Sequence, residues 1–234
     1  MLKSMTNMVE KVTVREQEQA VSILVSQIYA PITVDWKVIV EAEYRITPDG
    51  LVTARYSGVP TGVQLPESFP RIGMRFVLDK SCEQAVWYGR GPLETYPDCR
   101  DGNPVGLWEK QVEDFYFPYV VPQETGNHQD TRWAAFLTDS GSGICIASEE
   151  VFSFGALHYT QEDLTQASHT NELHRTEHIQ LSVDYAQHGL GSASWGAECL
   201  EKDRLYPEPF AFTWKIFGAE REGLAKKAEQ YRRR

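Results

Sequence analysis

The chain has 234 residues, of which 41% are hydrophobic and 12% aromatic, and it carries 23 Lys and Arg against 33 Asp and Glu. The formal net charge of −10 repels phosphate backbones and anionic lipid, so we expect neither a nucleic-acid nor a membrane partner. The apolar content is sufficient for a large core, and this length fits one large domain.

The N-terminal residues 1–19 are polar and weakly patterned, and they could form the edge of a preceding segment. They contain no apolar run of signal-peptide length, and no window of the chain reaches the 18 apolar residues of a membrane span. We therefore expect a cytoplasmic protein. Four cysteines without CxxC spacing predict free thiols rather than a zinc or redox site, namely Cys82, Cys99, Cys145 and Cys199.

The clearest strand signal lies at Val34–Ile46, where apolar residues occupy the even positions and mostly charged residues lie between them. A period of two predicts one buried and one wet face. Thr47–Gly50 reads Thr-Pro-Asp-Gly and predicts a turn, so Leu51–Tyr56 is interpreted as the returning strand of a hairpin. Further strands are expected at Ile72–Leu78, Thr131–Leu137, Gly143–Ser148, His178–Tyr185 and Phe210–Phe217.

Two segments favour helix. Gln161–Gln166 is expected to form a short turn, and Ala219–Arg234 is rich in strong helix formers. The many short strands without helices between them predict an all-β fold, a large antiparallel β-sandwich with a short C-terminal helix. We accordingly predict a sandwich domain at residues 1–218 and a helical tail at residues 219–234.

Three loops are unusually rich in polar groups. The first polar loop is Trp87–Arg100, with the sequence WYGRGPLETYPDCR; the second is Pro118–Trp133, PYVVPQETGNHQDTRW; the third is Ala186–Gly196, AQHGLGSASWG. Loops of this kind, held by a rigid frame, are frequent sites of function.

In this order and spacing, the three loops resemble the C-terminal domain of the large β-galactosidases of glycoside hydrolase family 2, which also occurs as a separate small subunit. The resemblance runs from Leu65 to Phe217 and implies a galactose-mutarotase-like sandwich of the supersandwich type. It also implies a β-galactoside ligand, a catalytic barrel domain or large subunit as partner, and an oligomer. Because the catalytic carboxylates of that family lie on the barrel, this chain alone is not expected to hydrolyse a glycoside.

Trp195 is the candidate substrate-binding residue. Gly189, Gly191 and Gly196 surround it with small neighbours that do little to bury an indole, so the loop can present the ring to a sugar face. The resemblance implies that this tryptophan helps to form the wall of the active site. The alternative is a core tryptophan that plugs a loop.

Retaining glycoside hydrolysis needs two carboxyl groups about 5–5.5 Å apart, so the carboxylates of the polar loops are candidates for a catalytic pair. Glu94 and Asp98 share the first polar loop with Arg90 and Arg100, and arginines hold carboxylates ionised, unlike a general acid. These four residues are therefore expected to form a structural ion-pair network, and no catalytic residue is predicted. The other carboxylates considered are Glu124, Asp130, Glu149 and Glu150.

Two other functions stay open. A sugar mutarotase would need a histidine acid and a glutamate base, drawn from His128, His158 or His188 with Glu124 or Glu198. An independent carbohydrate-binding module would need only a sugar-binding surface.

No cofactor is predicted from the residues. The resemblance implies only a structural sodium ion, held by backbone carbonyls near Val121-Pro122 and near Leu164.

Overall fold

The structure, a computed structural model, describes residues 5–191 and 198–234. These residues form eleven strands and two α-helices, in agreement with the predicted antiparallel all-β class and its short C-terminal helix. The strands are β1 Met5–Gln17, β2 Ala20–Pro31, β3 Trp36–Ile46, β4 Val52–Gly62, β5 Arg71–Asp79, β6 Gln84–Arg90, β7 Val105–Gln111, β8 Asn127–Leu137, β9 Ser142–Leu157, β10 His178–Gln187 and β11 Phe210–Glu220. The helices are α1 Gln161–Gln166 and α2 Leu224–Arg232.

The chain divides into two compact units. The first is Met1–Phe69 with Tyr206–Gly218, and the second is Pro70–Leu205 with Ala219–Arg234. The predicted helical tail, residues 219–234, lies in the second unit and includes the last two residues of β11.

In the first unit, strands pair antiparallel in the order β1-β2-β3-β4-β11. The even positions of β3 that the sequence places inside, from Trp36 to Ala42, are buried, and the residues between them are exposed. Gly50 adopts φ +79°, so the Thr47–Gly50 turn uses the backbone freedom of glycine to join β3 to β4. On β11, Phe212 stacks against Tyr56 with ring centroids 5.1 Å apart and packs on Trp214 at 4.5 Å.

Strand β1 was not predicted from the sequence. Its residues are nearly all exposed, so neither face carries the apolar alternation that reveals a half-buried strand. It is nevertheless paired with β2 along its whole length, with a register shift between Val9 and Lys11. Backbone pairing rather than burial thus defines this strand.

In the second unit, strands pair antiparallel in the order β5-β10-β9-β8-β6-β7. Strand β9 is far longer than the predicted Gly143–Ser148, because it continues through the exposed Glu149–Val151 to Leu157. Its residues Ser153–Leu157 pair with β10, and β8 pairs with it from Gly143 to Gly155 across two register shifts. The largest fully buried side chains here include Trp87, Trp133, Phe136 and Phe154.

Helix α2 is shorter than the predicted Ala219–Arg234. Strand β11 continues to Glu220, and the helix begins only after Gly223, whose φ is +72°. Leu224 and Ala228 are buried, and Arg232 donates to the backbone carbonyls of Ser148 and Glu149 at 3.3 and 3.1 Å. Among the described helices, none is long and apolar enough to cross a membrane.

The aromatic stack of the first unit supports a stability prediction. Phe212→Ala should lower the free energy of unfolding by about 3–5 kcal/mol, because a buried ring and its contacts are lost. Val59→Ala on β4 is the control, since Val59 is exposed and such changes usually cost no more than about 0.5 kcal/mol. Urea denaturation followed by circular dichroism measures both, and equal losses would contradict the assigned core.

Candidate functional site

The first polar loop leaves strand β6 at a buried tryptophan. Trp87 is fully buried, and its indole nitrogen donates to the carbonyl of Arg90 at 2.9 Å, which holds the end of the strand. Gly91 follows directly, and a side chain there would lie 2.7 Å from the ring of Trp108. The start of the loop is therefore fixed by aromatic packing from both sides.

The two arginines of this loop meet at a carboxylate from the second polar loop. Arg90 Nε donates to Asp130 Oδ2, and Arg100 Nη1 lies 3.6 Å from Asp130 Oδ1. Arg90 also donates to the carbonyls of Arg100 and Asn103 at 3.2 and 3.0 Å. Asp130, which has a φ of +52°, thus joins the two loops by ion pairs.

Glu94 makes a different connection between the same two loops. Its carboxylate accepts hydrogen bonds from the Tyr119 hydroxyl, the Thr125 hydroxyl at 3.0 Å and the backbone amide of Gly126 at 2.7 Å. The bond to Glu94 is the main reason that the pKa of Tyr119 rises to about 12. Glu94 is therefore bound by neutral donors and not by the arginines of its own loop.

Asp98 connects the first polar loop to the third. Its two carboxylate oxygens accept from the amides of Leu190 at 3.1 Å and Gly191 at 2.7 Å. Gly189 must be small here, since a side chain would lie 2.9 Å from the Asp98 carboxyl group and from Cys199 Cβ. Its amide donates to the carbonyl of Asp203 at 2.8 Å. We call Gly189–Gly191 the loop stem.

Trp195 itself lies outside the described residues. The structure describes the chain that leads to it, the loop stem, and the chain that follows, from Glu198. On that side Cys199 Sγ lies 3.5 Å from His188 Nδ1, and Arg204 pairs with Glu198. Both flanks of the segment are thus held by side-chain contacts.

The four residues predicted as one network are placed at three points. Arg90 and Arg100 converge on Asp130, Glu94 lies among donors of the second polar loop, and Asp98 lies at the loop stem. The sequence analysis considered Asp130 only as a possible catalytic carboxylate. No local pattern indicates its partners, which come from the first polar loop.

The histidines considered for mutarotase chemistry have other partners in the structure. His128 is buried among Trp87, Phe115 and Phe154, and burial lowers its pKa to about 4. His158 is buried and faces Glu83, with Nε2 2.9 Å from Oε2.

His188 is half-buried, and its Nδ1 lies 2.7 Å from the carbonyl of Gly189. The described partners of the three rings include Gly126, Glu83, Gly189 and Cys199, but not the predicted Glu124 or Glu198.

A charged cluster that the sequence analysis missed lies on β5 and β10. Arg71 Nη2 is 3.3 Å from Glu124 Oε1 and 3.2 Å from Asp184 Oδ2, and Gln187 donates to Asp184 at 3.0 Å. Burial raises the pKa of Asp184 to about 7, although Arg71 opposes this shift. Burial alone would lower the pKa of Arg71, but Asp184 and then Glu124 raise it on balance.

A small cavity adjoins this cluster. It has a volume of about 50 Å³, room for roughly four water molecules, and is much smaller than typical ligand pockets. Its lining includes Arg71, Arg75, Glu124, Tyr159 and Gln180 but not Asp184. This volume favours water molecules rather than a sugar ring as occupants.

The sodium ion implied by the resemblance would use backbone carbonyls. Leu164 lies near the end of α1, where carbonyls have no partner within the helix. Oxygen donors of this kind suit a hard cation. No part of the proposed function depends on this ion.

The sequence profile of the family described as "Beta galactosidase small chain" matches residues 2–216. The chain therefore belongs to the β-galactosidase small chain family. This confirms the resemblance carried by the three polar loops and extends it to the N-terminal strands.

The relatives are much longer than this chain. A Halalkalibacterium halodurans β-galactosidase is 35% identical over 188 residues, 79% of this chain and 18% of that protein. The β-galactosidase BgaC of Bifidobacterium adolescentis is 36% identical over 172 residues, 71% of this chain and 16% of that protein. The chain thus spans less than a fifth of the length of these relatives.

Among solved structures, a putative aldose 1-epimerase from Escherichia coli K12 is similar, with a TM-score of 0.41 and 10% identity. The match covers 90% of this chain and 69% of that one.

Removing the Asp98 carboxylate should release the loop stem. In Asp98→Ala the amides of Leu190 and Gly191 lose a charged acceptor, a bond worth about 1.5–3 kcal/mol. Hydrogen–deuterium exchange should become faster at these two amides and stay unchanged in strand β8. Asp101→Ala, an exposed aspartate of the adjoining turn, is the control. Unchanged exchange at the stem would show that Asp98 does not hold it.

Asp184 should make stability depend on pH. Its pKa rises from 3.8 to about 7 on folding, so between these values the folded chain holds a proton that the unfolded chain lacks. Stability is therefore expected to fall as pH rises through this window. In Asp184→Asn this decrease of stability with rising pH should disappear, as measured by melting temperatures at several pH values. Glu162→Gln, an exposed carboxylate beside the same cavity, should keep it.

Proposed function

We propose that this chain is the small-chain part of a β-galactosidase, which completes the active site of a catalytic barrel on a separate domain or subunit. In this proposal the chain binds the galactoside substrate through Trp195 and does not cleave it alone. Membership of the small chain family supports the proposal, as does the length of the relatives, more than five times the aligned segment.

The observation that carries the proposal is how the carboxylates are used. Glu94, Asp98 and Asp130 each accept hydrogen bonds or ion pairs from another loop, so their oxygens serve the scaffold. Glu149 and Glu150 are exposed on β9, within a strand rather than a cleft. Such groups do not provide the acid and nucleophile that retaining hydrolysis requires.

Asp184 has the raised pKa of a general acid, but its position argues against that role. The side chain is only 2% exposed, and its oxygens are bound by Arg71 and Gln187. It does not line the adjoining cavity, so a glycosidic oxygen has no route to it. A general acid must come within hydrogen-bond reach of its substrate.

The contact assigned to Trp195 is supported by the loop stem. Asp98 fixes the amides of Leu190 and Gly191, only a few residues before the tryptophan, against the first polar loop. Functional loops are commonly positioned in this way by a rigid scaffold. A tryptophan that follows such a stem in the chain would be a suitable platform for the apolar face of a sugar.

The proposal also includes assembly as an oligomer in the cytoplasm. The four cysteines of the chain are free thiols in the structure, as expected of a protein in a reducing compartment. The mutarotase alternative is disfavoured, because the three histidines do not pair with the predicted Glu124 or Glu198, and His128 and His158 are buried. A self-sufficient carbohydrate-binding module remains the second candidate, since the same tryptophan loop would serve it.

Activity in isolation and in trans tests the proposal. The chain alone should not hydrolyse a chromogenic β-galactoside. Added to the Halalkalibacterium halodurans relative truncated before its aligned segment, it should restore hydrolysis. If association in trans is weak, a chimera in which this chain replaces the aligned segment of the relative should restore hydrolysis instead. Turnover by the isolated chain that is lost with Glu94→Gln would overturn the proposal, as would an inactive but folded chimera.

The substrate contact has its own test. In the restored enzyme, Trp195→Ala should raise KM about tenfold, equivalent to ~1.4 kcal/mol, because an aromatic anchor contributes strongly to binding. Leu200→Ala, an exposed apolar residue beyond the same segment, should leave KM unchanged. Sugar binding by the isolated chain that depends on Trp195 would favour the carbohydrate-binding module instead.

A further inference from the structure

Three potential metal ligands of the second unit lie close together, and none of them belongs to the three polar loops. Glu83 precedes β6, Glu113 lies in the 3₁₀ turn Val112–Phe115, and His158 directly follows β9. One ligand atom from each residue lies within 4.8 Å of the other two. We call these residues the Glu83 cluster.

Backbone contacts fix the three residues in place. Glu83 Oε1 accepts from the amide of Glu113 at 2.8 Å, and the Glu83 carbonyl accepts from the amide of Val112 at 2.8 Å. The carbonyl of His158 accepts from the amide of Thr176 at 2.7 Å. The backbone segments that carry the three ligands are thus held by the fold, which lowers the cost of binding an ion.

The histidine is what distinguishes this cluster from an acidic surface patch. His158 is only 4% exposed, and its Nε2 points at Glu83 Oε2 from 2.9 Å. In the part of the chain that the structure describes, its Nδ1 is buried without a hydrogen-bond partner. The described contact of the ring is thus made through Nε2, the nitrogen that faces the carboxylate of Glu83, and the proposed β-galactosidase role makes no use of it.

The charges of the cluster favour a cation. Two carboxylates lie close together, and Arg175 pairs with Glu113 from the exposed side. With a neutral imidazole, the cluster and Arg175 carry a net charge of −1. A divalent ion between the three ligand atoms would relieve the repulsion between the two carboxylates.

We propose that the Glu83 cluster binds a divalent transition metal ion of the zinc type. Imidazole and carboxylate together suit zinc, which takes three protein ligands at ~2.0–2.2 Å and leaves a fourth position for water. Magnesium and calcium are disfavoured because they prefer oxygen ligands alone. His158 would bind through Nε2 as a neutral ring, with its proton on Nδ1. The ion would tie the Val112–Phe115 turn to the ends of β6 and β9.

Metal titration of the purified, chelator-treated chain tests this proposal, with Co²⁺ as a visible probe and Zn²⁺ as the competitor. Co²⁺ should give d–d absorption typical of low coordination number, and Zn²⁺ should abolish it. Zn²⁺ should also raise the melting temperature, because it binds the folded state. Mg²⁺ at the same concentration should do neither.

Variants locate the site. Glu113→Gln keeps an exposed side chain of the same shape and should weaken Co²⁺ affinity at least tenfold. Arg175→Met should strengthen it, because Glu113 is released from its ion pair. This gain of affinity cannot arise from misfolding. His158→Gln should abolish the absorption. If this change at a buried residue unfolds the chain, the result for Glu113→Gln decides the test.

Two controls separate this cluster from ordinary surface binding. His174 pairs with Asp163 on the surface, and His174→Gln should leave Co²⁺ affinity unchanged. Glu109→Gln, an exposed carboxylate paired with Arg221, should also have no effect. Binding that is lost with His174→Gln, or that is indifferent to both Glu113→Gln and Arg175→Met, would overturn the proposal. So would the absence of any Co²⁺ signal. None of these results bears on galactoside hydrolysis.

Discussion

The arrangement of the three polar loops depends on carboxylates that accept hydrogen bonds across loop boundaries. Glu94 and Asp130 hold the first loop to the second, and Asp98 holds the first loop to the third. A partly buried carboxylate is costly unless its oxygens are satisfied, so each one specifies a definite neighbour. Irregular backbone, which has no ladder of its own, thereby gains a fixed position relative to the strands.

In these loops the acidic residues have a structural role, whereas the acidic residues of a glycosidase would first be expected to act in catalysis. A catalytic acid must keep an oxygen free for its substrate and hold its proton near neutral pH. Here the carboxylates of the loops are committed to tyrosine, threonine, arginine and backbone donors. Among the described residues, Asp184 has a strongly raised pKa, and this carboxyl group is ion-paired with Arg71. The acidic residues of these loops therefore serve as acceptors that hold the loops together.

The sequence predicted those parts of the fold that local chemistry determines. The alternation in β3 and the Thr47–Gly50 turn identified a real hairpin, since burial of one face imposes period two. Strand β1 was not predicted because it is exposed on both faces. The full length of β9 was not predicted because Glu149 and Glu150 lie in its exposed middle. The three polar loops correctly indicated the family.

The partners within the site could not be predicted, because they join residues that are far apart in the chain. Nothing near Arg90 points to Asp130, and nothing near Arg71 points to Asp184. Composition suggested that Arg90, Glu94, Asp98 and Arg100 would pair among themselves, since opposite charges in one loop are neighbours in sequence. The fold brings other partners closer, and it satisfies Glu94 and Asp98 without arginine. The prediction for Trp195 concerns a residue outside the described part of the chain.

The attachment of Asp98 to the loop stem affects where a gene boundary can fall without separating these contacts. Both partners of that attachment lie within Pro70–Leu205, and so do the partners of Glu94 and Asp130. A gene boundary placed anywhere before this segment leaves every one of these contacts within a single polypeptide. The same loop support can thus be transmitted intact, whether it is encoded inside a long enzyme or as a chain of its own.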